Sequence, residues 1–253
     1  MASKENEIKS IGTTLEILEE VVEADEAGVT EIADRLSRNK GTVHHHLSTL
    51  SDHGYLVNTD GTYRPSARFF EIGQQVIRHR PVYEAGSEPL QALADETGEL
   101  VHLMIEENGR GIYADITGGD NAITLHTSVG DTEYLHCCAL GKAILANLGR
   151  DRRREIYEQH GLPQETANTI TDEQRLEEEL ATIRDQGVAY DCEEQTPNVH
   201  CVAASITADD DEVLGAVSIT CPASKTKETR LRNELADEVR NTAMVIGLNA
   251  TYR

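Results

Sequence analysis

The side chains best suited to chemistry lie in residues 40–50, where the spacing predicts a helix. Its inner face is marked by side chains at helical spacing, namely Val43, His46, Leu47 and Leu50. The opposite face carries Thr42, His45, Ser48 and Thr49. Hydroxyl and imidazole groups both donate and accept hydrogen bonds. A helix face of this kind suits recognition of a polar, phosphate-rich surface.

The distribution of charge supports this interpretation. The chain of 253 residues carries 23 Lys and Arg against 45 Asp and Glu, a formal net charge of −22. From Arg35 to Ser51, however, there is no carboxylate. A polar helix that lacks carboxylates within an otherwise acidic protein favours contact with phosphates. A solvated helix is the alternative, because residues 134–150 are equally acid-free and predict a buried loop and helix.

A shorter helix precedes the polar one. Ile32, Ala33 and Leu36 share one face of it, and Thr30 is its predicted N-cap. Residues 37–39 are polar turn-formers that separate the two helices. The pair predicts a helix-turn-helix.

Two flanking elements extend this unit. Residues 8–24 predict a first helix, with apolar side chains at helical spacing: Ile11, Leu15, Leu18, Val21 and Val22. After the helix stop at His53-Gly54, Asp60-Gly61 is a strong hairpin signal between residues 55–57 and 62–64. Three helices followed by a hairpin predict a winged helix-turn-helix over residues 1–66.

The predicted partner of this unit is double-stranded operator DNA. We expect the second helix of the motif to enter the major groove, with Arg38 and Arg64 on the phosphate backbone. The predicted DNA-binding residues are Arg38, Lys40, Thr42, His44, His45, Ser48 and Arg64.

Residues 67–80 predict a linker helix. It contains both phenylalanines of the chain, Phe69 and Phe70, and has apolar residues on more than one face. Such a helix predicts a partner subunit, and hence a homodimer or a dimer of dimers. Pro81 marks the start of a second domain, residues 81–253.

The second domain has an α+β pattern. We predict a helix that ends near Gly98 and further helices over residues 140–148, 172–186 (with Thr171 as N-cap) and 225–249. Strands are predicted over residues 101–105, 111–116, 123–126, 199–207 and 213–220. The last two would form a hairpin across the acidic turn at residues 209–211.

Composition sets limits on the function classes. No stretch approaches the roughly 20 apolar residues of a membrane span, and no apolar signal region follows the start, so we expect a cytoplasmic protein without membrane partners. The five cysteines are then expected to be reduced thiols. Strong acidity with few lysines is typical of a proteome adapted to high internal salt; an ordinary acidic protein is the alternative.

Three further segments carry a resemblance to a known family. They are residues 140–146 (Leu-Gly-Lys-Ala-Ile-Leu-Ala), residues 191–204 from Asp191 to Ala204, and residues 215–219 (Gly-Ala-Val-Ser-Ile). Together with the N-terminal unit they resemble the IclR family of transcription regulators over nearly the whole chain. The resemblance implies a dimer-forming winged helix-turn-helix and a C-terminal effector-binding domain with a GAF-like α/β fold.

By position, the resemblance also implies an effector pocket. Its residues would be Leu125, Ala139, Leu140, Asp191, Val199, Cys201, Ser218 and Thr220. The chemistry fits, because the first N–H groups of a helix near Ala139 favour an anion and Ser218 and Thr220 share one strand face. We expect a small carboxylate-bearing metabolite, with Asp191 accepting a ligand hydroxyl. The alternative is that Cys201 and Ser218 are satisfied core residues.

Two other function classes have candidate residues or motifs. A metal or thiol-redox sensor could draw on the cysteines and one histidine, namely Cys137, Cys138, Cys192, His200 and Cys201, since thiolates and imidazole suit zinc. Neither a Cys-x-x-Cys nor a His-Glu-x-x-His spacing occurs, so no metal or other cofactor is expected. The motifs of a nucleophile elbow, a phosphate-binding loop and a zinc deaminase are absent as well, so an enzyme is not expected.

Overall fold

The computed structural model describes residues 8–209 and 212–252. Contacts divide the chain into two compact units that are joined between His79 and Arg80. Among the residues so described, no helix combines the length and the apolar character needed to cross a membrane.

The N-terminal unit is a winged helix-turn-helix. Its helices are α1 (Lys9–Glu23), α2 (Val29–Arg35), α3 (Lys40–Asp52) and α4 (Arg68–Arg78), and its strands are β1 (Ala27–Gly28), β2 (Leu56–Thr59) and β3 (Thr62–Pro65). The strands form an antiparallel sheet in the order β1-β3-β2. Ile17, Ile32, Val43 and Leu47 meet in its core. The predicted two-helix motif and hairpin are confirmed.

Turn chemistry accounts for both reversals of this unit. Asp60 and Gly61 have φ values of 52° and 89°, the pair of positive values that a two-residue hairpin turn of type I′ requires. The side chain of Asn58 accepts a hydrogen bond from the Gly61 N–H at 3.0 Å. At the start of α3, Asn39 is the N-cap and accepts from the Gly41 N–H at 2.8 Å.

Two details of the N-terminal unit differ from prediction. Helix α2 begins at Val29 after Gly28, so Thr30 lies inside the helix and is not its N-cap. In α1, the buried residues are Ile17 and Val21, whereas Ile11, Leu15 and Val22 are about half exposed. Helix α1 contacts α3 and β3, and the face that enters the core carries Ile17 and Val21. Ile17 was not among the five predicted positions.

The C-terminal unit has helices on both sides of one sheet. Its helices are α5 (Pro81–Thr97), α6 (Ala139–Asn147), α7 (Arg150–His160), α8 (Glu173–Gln186) and α9 (Ala236–Tyr252), with a π-helical segment, Arg230–Leu235, leading into α9. Its strands are β4 (Leu100–Glu107), β5 (Arg110–Gly118), β6 (Thr132–Tyr134), β7 (Ala189–Cys192), β8 (Val199–Thr207) and β9 (Val213–Pro222). They form an antiparallel sheet in the order β6-β5-β4-β9-β8-β7.

Strand alternation divides the core between the two faces of this sheet. Val101, Leu103 and Val217 pack toward α5 and α9. Met104 and Ala216 pack with α6 and α8 on the other face. The central strands are therefore buried on both sides. Any polar side chain that they carry must find a partner within the protein or face a cavity.

Several predicted elements of this unit need correction. Residues 123–126 are not a strand; Ile123 and Leu125 lie in a loop and pack on the core. The N-cap of α8 is Asp172, whose carboxylate accepts from the Arg175 N–H at 2.8 Å, and not Thr171. The last helix starts later than residue 225, and Met244 on it is 61% exposed. Strands β6 and β7 and helix α7 were not predicted.

Other predictions are confirmed. Gly98 and Gly187 end their helices in the left-handed conformation, with φ values of 75° and 72°. The strand pair β8–β9 is antiparallel as expected. Its acidic turn includes residues 210 and 211, which lie outside the described residues.

Candidate functional site

The C-terminal unit contains a cavity of about 360 Å³ beside the first turn of α6. Seven of the eight residues predicted for the effector pocket line it: Leu125, Ala139, Leu140, Val199, Cys201, Ser218 and Thr220. Asp191 does not line it. The volume of the cavity is at the small end of the range for ligand sites, as a small metabolite requires.

Three central strands form the floor of this cavity. Their register places His102 of β4 opposite Ser218 of β9, and Thr220 of β9 opposite Cys201 of β8. Because side chains alternate between faces, these four all point to the α6 side of the sheet. Thr220 Oγ1 lies 3.3 Å from Cys201 Sγ and 3.2 Å from His102 Nδ1. The floor is thus a row of hydrogen-bonding groups between two apolar layers.

Two polar atoms of the floor lack a partner. His102 and Ser218 are 3% and 1% exposed, and within the described part of the chain His102 Nε2 and Ser218 Oγ make no hydrogen bond. Burial lowers the pKa of His102 to about 4, so the imidazole is neutral at pH 7. A buried polar group without a partner is costly, and both residues line the cavity. Ser218 is therefore not a satisfied core residue.

The first turn of α6 forms one wall. Cys138 is its N-cap and accepts from the Gly141 N–H through sulfur at 3.3 Å. The N–H groups of Ala139 and Leu140 lack intrahelical acceptors, as at any helix start, and carry the positive end of the helix dipole. A Cβ at Gly141 would lie 2.2 Å from the Leu135 carbonyl oxygen, so this close packing requires glycine. The wall offers donors to an anion.

The wall lined by Tyr113, Glu133 and Gln195 has a different chemistry. The Gln195 side-chain amide donates to Tyr113 Oη at 3.2 Å and to Glu133 Oε2 at 2.6 Å. Burial raises the pKa of Tyr113 far above its ordinary value, so its hydroxyl stays protonated and can donate. Among the described residues that line the cavity there is no Lys or Arg. This wall combines a hydroxyl donor with a carboxylate acceptor, which suits a hydroxyl group of a ligand.

Asp191 stabilises the segment that carries Gln195 but does not line the cavity. It is 1% exposed, and its carboxylate accepts from the Glu194 N–H at 2.6 Å. Burial raises its pKa to about 7. Glu194 in turn accepts from Lys142 Nζ, which is fully buried, at 2.6 Å. Asp191 therefore holds the segment that carries Gln195, and its predicted contact with a ligand hydroxyl is not what the geometry supports.

Ten lining residues were not among those predicted, and four of them carry the polar contacts described above: His102, Tyr113, Glu133 and Gln195. One signal was available for His102, which is an imidazole within the apolar run of residues 101–105. The other three come from separate segments. Their meeting depends on sheet order, which the sequence pattern does not contain.

In the N-terminal unit, the predicted polar face of α3 is present. Lys40, Thr42, His44 and His45 are exposed and Ser48 is partly exposed. His46 instead faces inward, where Nδ1 lies 2.8 Å from Thr14 Oγ1. The outer face of α3 thus presents an ammonium, hydroxyl and imidazole groups.

The arginines of this unit are less free than predicted. Arg38 forms an ion pair with Glu16 of α1, and Arg35 pairs with Glu20 at 3.0 Å and Glu31 at 2.8 Å. Exposed ion pairs contribute little stability, so a phosphate can replace Glu16 as the partner of Arg38 at small cost. Arg64 is exposed on the wing.

The cysteines give no support to a metal or redox sensor. Within residues 8–209 and 212–252, no group of three His, Cys, Asp or Glu side chains could hold a metal ion. All five cysteines are free thiols. Burial raises the pKa of Cys201 well above its ordinary value, which disfavours the reactive thiolate.

Comparison with known families gives two matches in chain order. Residues 10–60 match the IclR helix-turn-helix domain. Residues 74–248 match the family described as bacterial transcriptional regulator IclR C-terminal. The two matches together cover most of the chain.

Individual proteins agree with this. A probable HTH-type transcriptional regulator ArcR of Halobacterium salinarum is 32% identical over 92% of this chain and 88% of its own. The crystal structure of the Thermotoga maritima IclR is 27% identical, with a TM-score of 0.81 over 97% of this chain and 100% of that one. An IclR homolog from Microbacterium hydrocarbonoxydans, solved as a complex with 4-hydroxybenzoate, is 19% identical and shares the fold, with a TM-score of 0.81 over 95% and 98%.

The raised pKa of Asp191 predicts a pH-dependent stability. An unfolded aspartate has a pKa of about 3.9, so between about pH 4 and pH 7 the folded chain binds the extra proton and its free energy of unfolding falls as pH rises. Asp191→Asn removes the ionisation and keeps an oxygen that accepts from Glu194. We expect its stability relative to wild type to be higher at about pH 8 than at about pH 5, by more than about 1 kcal/mol.

Urea unfolding at the two pH values measures this difference. Asp185→Asn, an exposed position on α8, is the control and should show the same difference from wild type at both. A pH-independent effect of Asp191→Asn would contradict the raised pKa.

Proposed function

The chain belongs to the IclR family of transcription regulators, and from that premise we propose that it binds operator DNA through α3 and the wing and is switched by a small hydroxylated organic acid in the C-terminal cavity. The observation that carries the effector proposal concerns two lining residues of the cavity, His102 and Ser218, whose Nε2 and Oγ atoms are buried and have no hydrogen-bond partner within the described part of the chain. A ligand that supplies their partners binds there with a gain that a solvated surface does not offer.

The proposed acid is oriented by the two walls. Its carboxylate lies against the Ala139 and Leu140 N–H groups and the Ser218 hydroxyl, all of which donate. Its hydroxyl accepts from Tyr113 and donates to Glu133. Glu133 thereby takes the role that the sequence prediction gave to Asp191. The 4-hydroxybenzoate in complex with the Microbacterium homolog is an acid of this class.

DNA recognition is proposed to rest on α3. Lys40, Thr42 and His45 project outward near its N-terminal half, the part of a recognition helix that contacts base edges. Arg38 and Arg64 flank the helix in sequence and supply phosphate contacts, while His44 and Ser48 extend the polar face. Lys, Thr and His side chains can all bond the acceptors of the major groove.

A homodimer is also proposed. Helix α4 exposes Phe70 (73%), Val76 (49%) and Ile72 (38%), and α1 exposes Ile11 and Leu15. Apolar side chains grouped on two helices of one small unit are typical of an interaction surface. A two-fold pair of such units matches a pseudo-palindromic operator.

The DNA proposal predicts a loss of affinity when the outer face of α3 is truncated. Thr42→Ala with His45→Ala should weaken binding to an operator selected from random duplexes by about 1–3 kcal/mol per lost base contact. Thr49→Ala is the control, because its hydroxyl already bonds to the His45 carbonyl at 2.8 Å. Gel shift measures both. Wild-type affinity in the double variant would show that α3 is not the reading helix.

The dimer proposal predicts a monomer when charge enters the α4 face. Phe70→Glu with Val76→Glu should convert a dimer to a monomer at micromolar concentration, since burying two unpaired carboxylates is costly. Multi-angle light scattering reports the mass. Glu71→Gln on the same helix is the control. A wild-type monomer would remove the proposal.

The effector proposal predicts that sensing and DNA binding separate. Ser218→Ala with Thr220→Val should lose the response of operator binding to hydroxylated acids and keep the operator affinity of the ligand-free protein. Ser205→Ala is the control, because that hydroxyl bonds to Asn147 at 3.0 Å outside the cavity. A gel shift across a panel of such acids gives the readout, and an unchanged response in the double variant would contradict the site.

A further inference from the structure

His102 occupies the centre of the cavity floor. It is buried, it faces Ser218 across β4 and β9, and its Nε2 has no partner in the described part of the chain. Its ring lies 5.4 Å from that of Tyr113, so it is held on two sides. It was not among the positions implied by the resemblance. The role inferred for this histidine rests on the proposed acid effector.

The hydrogen bonds behind the ring determine which nitrogen carries the proton. Burial keeps Cys201 as a thiol, so its S–H is available as a donor to the Thr220 hydroxyl oxygen, which is a stronger acceptor than sulfur. With Cys201 Sγ–H donating to Thr220 Oγ1, the threonine hydroxyl is free to donate to His102 Nδ1. The opposite direction would send the threonine proton to sulfur, which is a weak acceptor. The favoured direction leaves the imidazole proton on Nε2, the buried nitrogen that has no partner in the described part of the chain.

A neutral donor matters in this cavity because its lining, among the described residues, lacks Lys and Arg. Glu133 and Glu165 both line it and repel the anionic end of a ligand, which leaves the donors of the floor and of α6, together with His126, to receive that end. His102 and Ser218 are paired residues of adjacent strands, so an Nε2–H and the Ser218 hydroxyl would be neighbouring donors. Two neighbouring donors match the two oxygens of a carboxylate.

We propose that His102 contacts the effector directly, its Nε2–H donating to the carboxylate beside the Ser218 hydroxyl, and that Thr220 is a positioning residue that keeps the imidazole proton on Nε2. This assigns the specificity for an acid to a neutral histidine on β4. It also gives Thr220 a role behind the ring in place of a ligand contact.

The first experiment determines which ring nitrogen of His102 carries the proton. Nitrogen NMR of the full chain with labelled histidine, assigned by the loss of a signal in His102→Gln, should show His102 as one neutral form protonated on Nε2. Thr220→Val should abolish that preference, since the Nδ1 hydrogen bond is lost; a variant that only loosened packing would leave the proton on Nε2. A proton on Nδ1 in the wild type would overturn the proposal.

The second experiment measures binding by calorimetry with 4-hydroxybenzoate, glycolate and gluconate as probes. For any probe that binds the wild type, His102→Leu should weaken binding about 10- to 100-fold, the usual effect of losing a hydrogen bond to a charged group. His102→Gln, whose amide N–H can reach the position of Nε2, should recover most of it. Equal affinity in wild type and His102→Leu would overturn the role of His102 while leaving the acid effector in place. If no probe bound the wild type, the acid class of the proposed function would fail, and this inference with it.

Discussion

The register of three central strands is the constraint on which the site depends. It brings His102, Thr220 and Cys201 into one hydrogen-bonded row, with Ser218 beside it, on a sheet covered by helices on both faces. Polar groups in such a layer must be paired or lose free energy. Thr220 is hydrogen-bonded to Cys201 and to His102, whereas His102 Nε2 and Ser218 Oγ have no partner among the described residues. A one-residue shift of any of the three strands would turn the side chains that it contributes to the other face.

The other parts of the cavity depend on close packing around this row. Gly141 allows the chain at Leu135 to lie against the first turn of α6, and this turn lines the cavity through Ala139 and Leu140. Lys142, one residue later, is buried and pairs with Glu194, whose N–H donates to Asp191. One helix therefore supplies donors on its first turn and anchors the segment carrying Gln195 through its buried lysine. Loss of Lys142 would leave the buried Glu194 carboxylate without this cation, and loss of Glu194 would leave Lys142 with only the longer ion pair to Glu179, at 3.6 Å.

Much of the architecture was predictable because local chemistry specifies it. Asp60-Gly61 and Asn108-Gly109 adopt the positive φ values that hairpin turns require, and Gly98 and Gly187 end helices for the same reason. Predictions failed where two neighbouring residues could both serve as the N-cap, as Asp172 and Thr171 could at the start of α8. They also failed where an apolar pattern lacked a strand to pair with, as in residues 123–126. The site was predicted in outline, but Tyr113 and Glu133 became visible only with the sheet order, because a pattern gives the face of a residue and not its neighbours.

In the proposed switch, binding of the acid raises or lowers the affinity of this chain for its operator. Thermodynamic linkage requires such coupling to be reciprocal. The direct measurement is therefore paired: operator affinity with and without a bound acid such as 4-hydroxybenzoate, and affinity for that acid with and without operator. We expect both affinities to change by the same factor, of about 5-fold or more, in the same direction. An acid that binds the C-terminal cavity and leaves operator affinity unchanged would contradict the proposed switch.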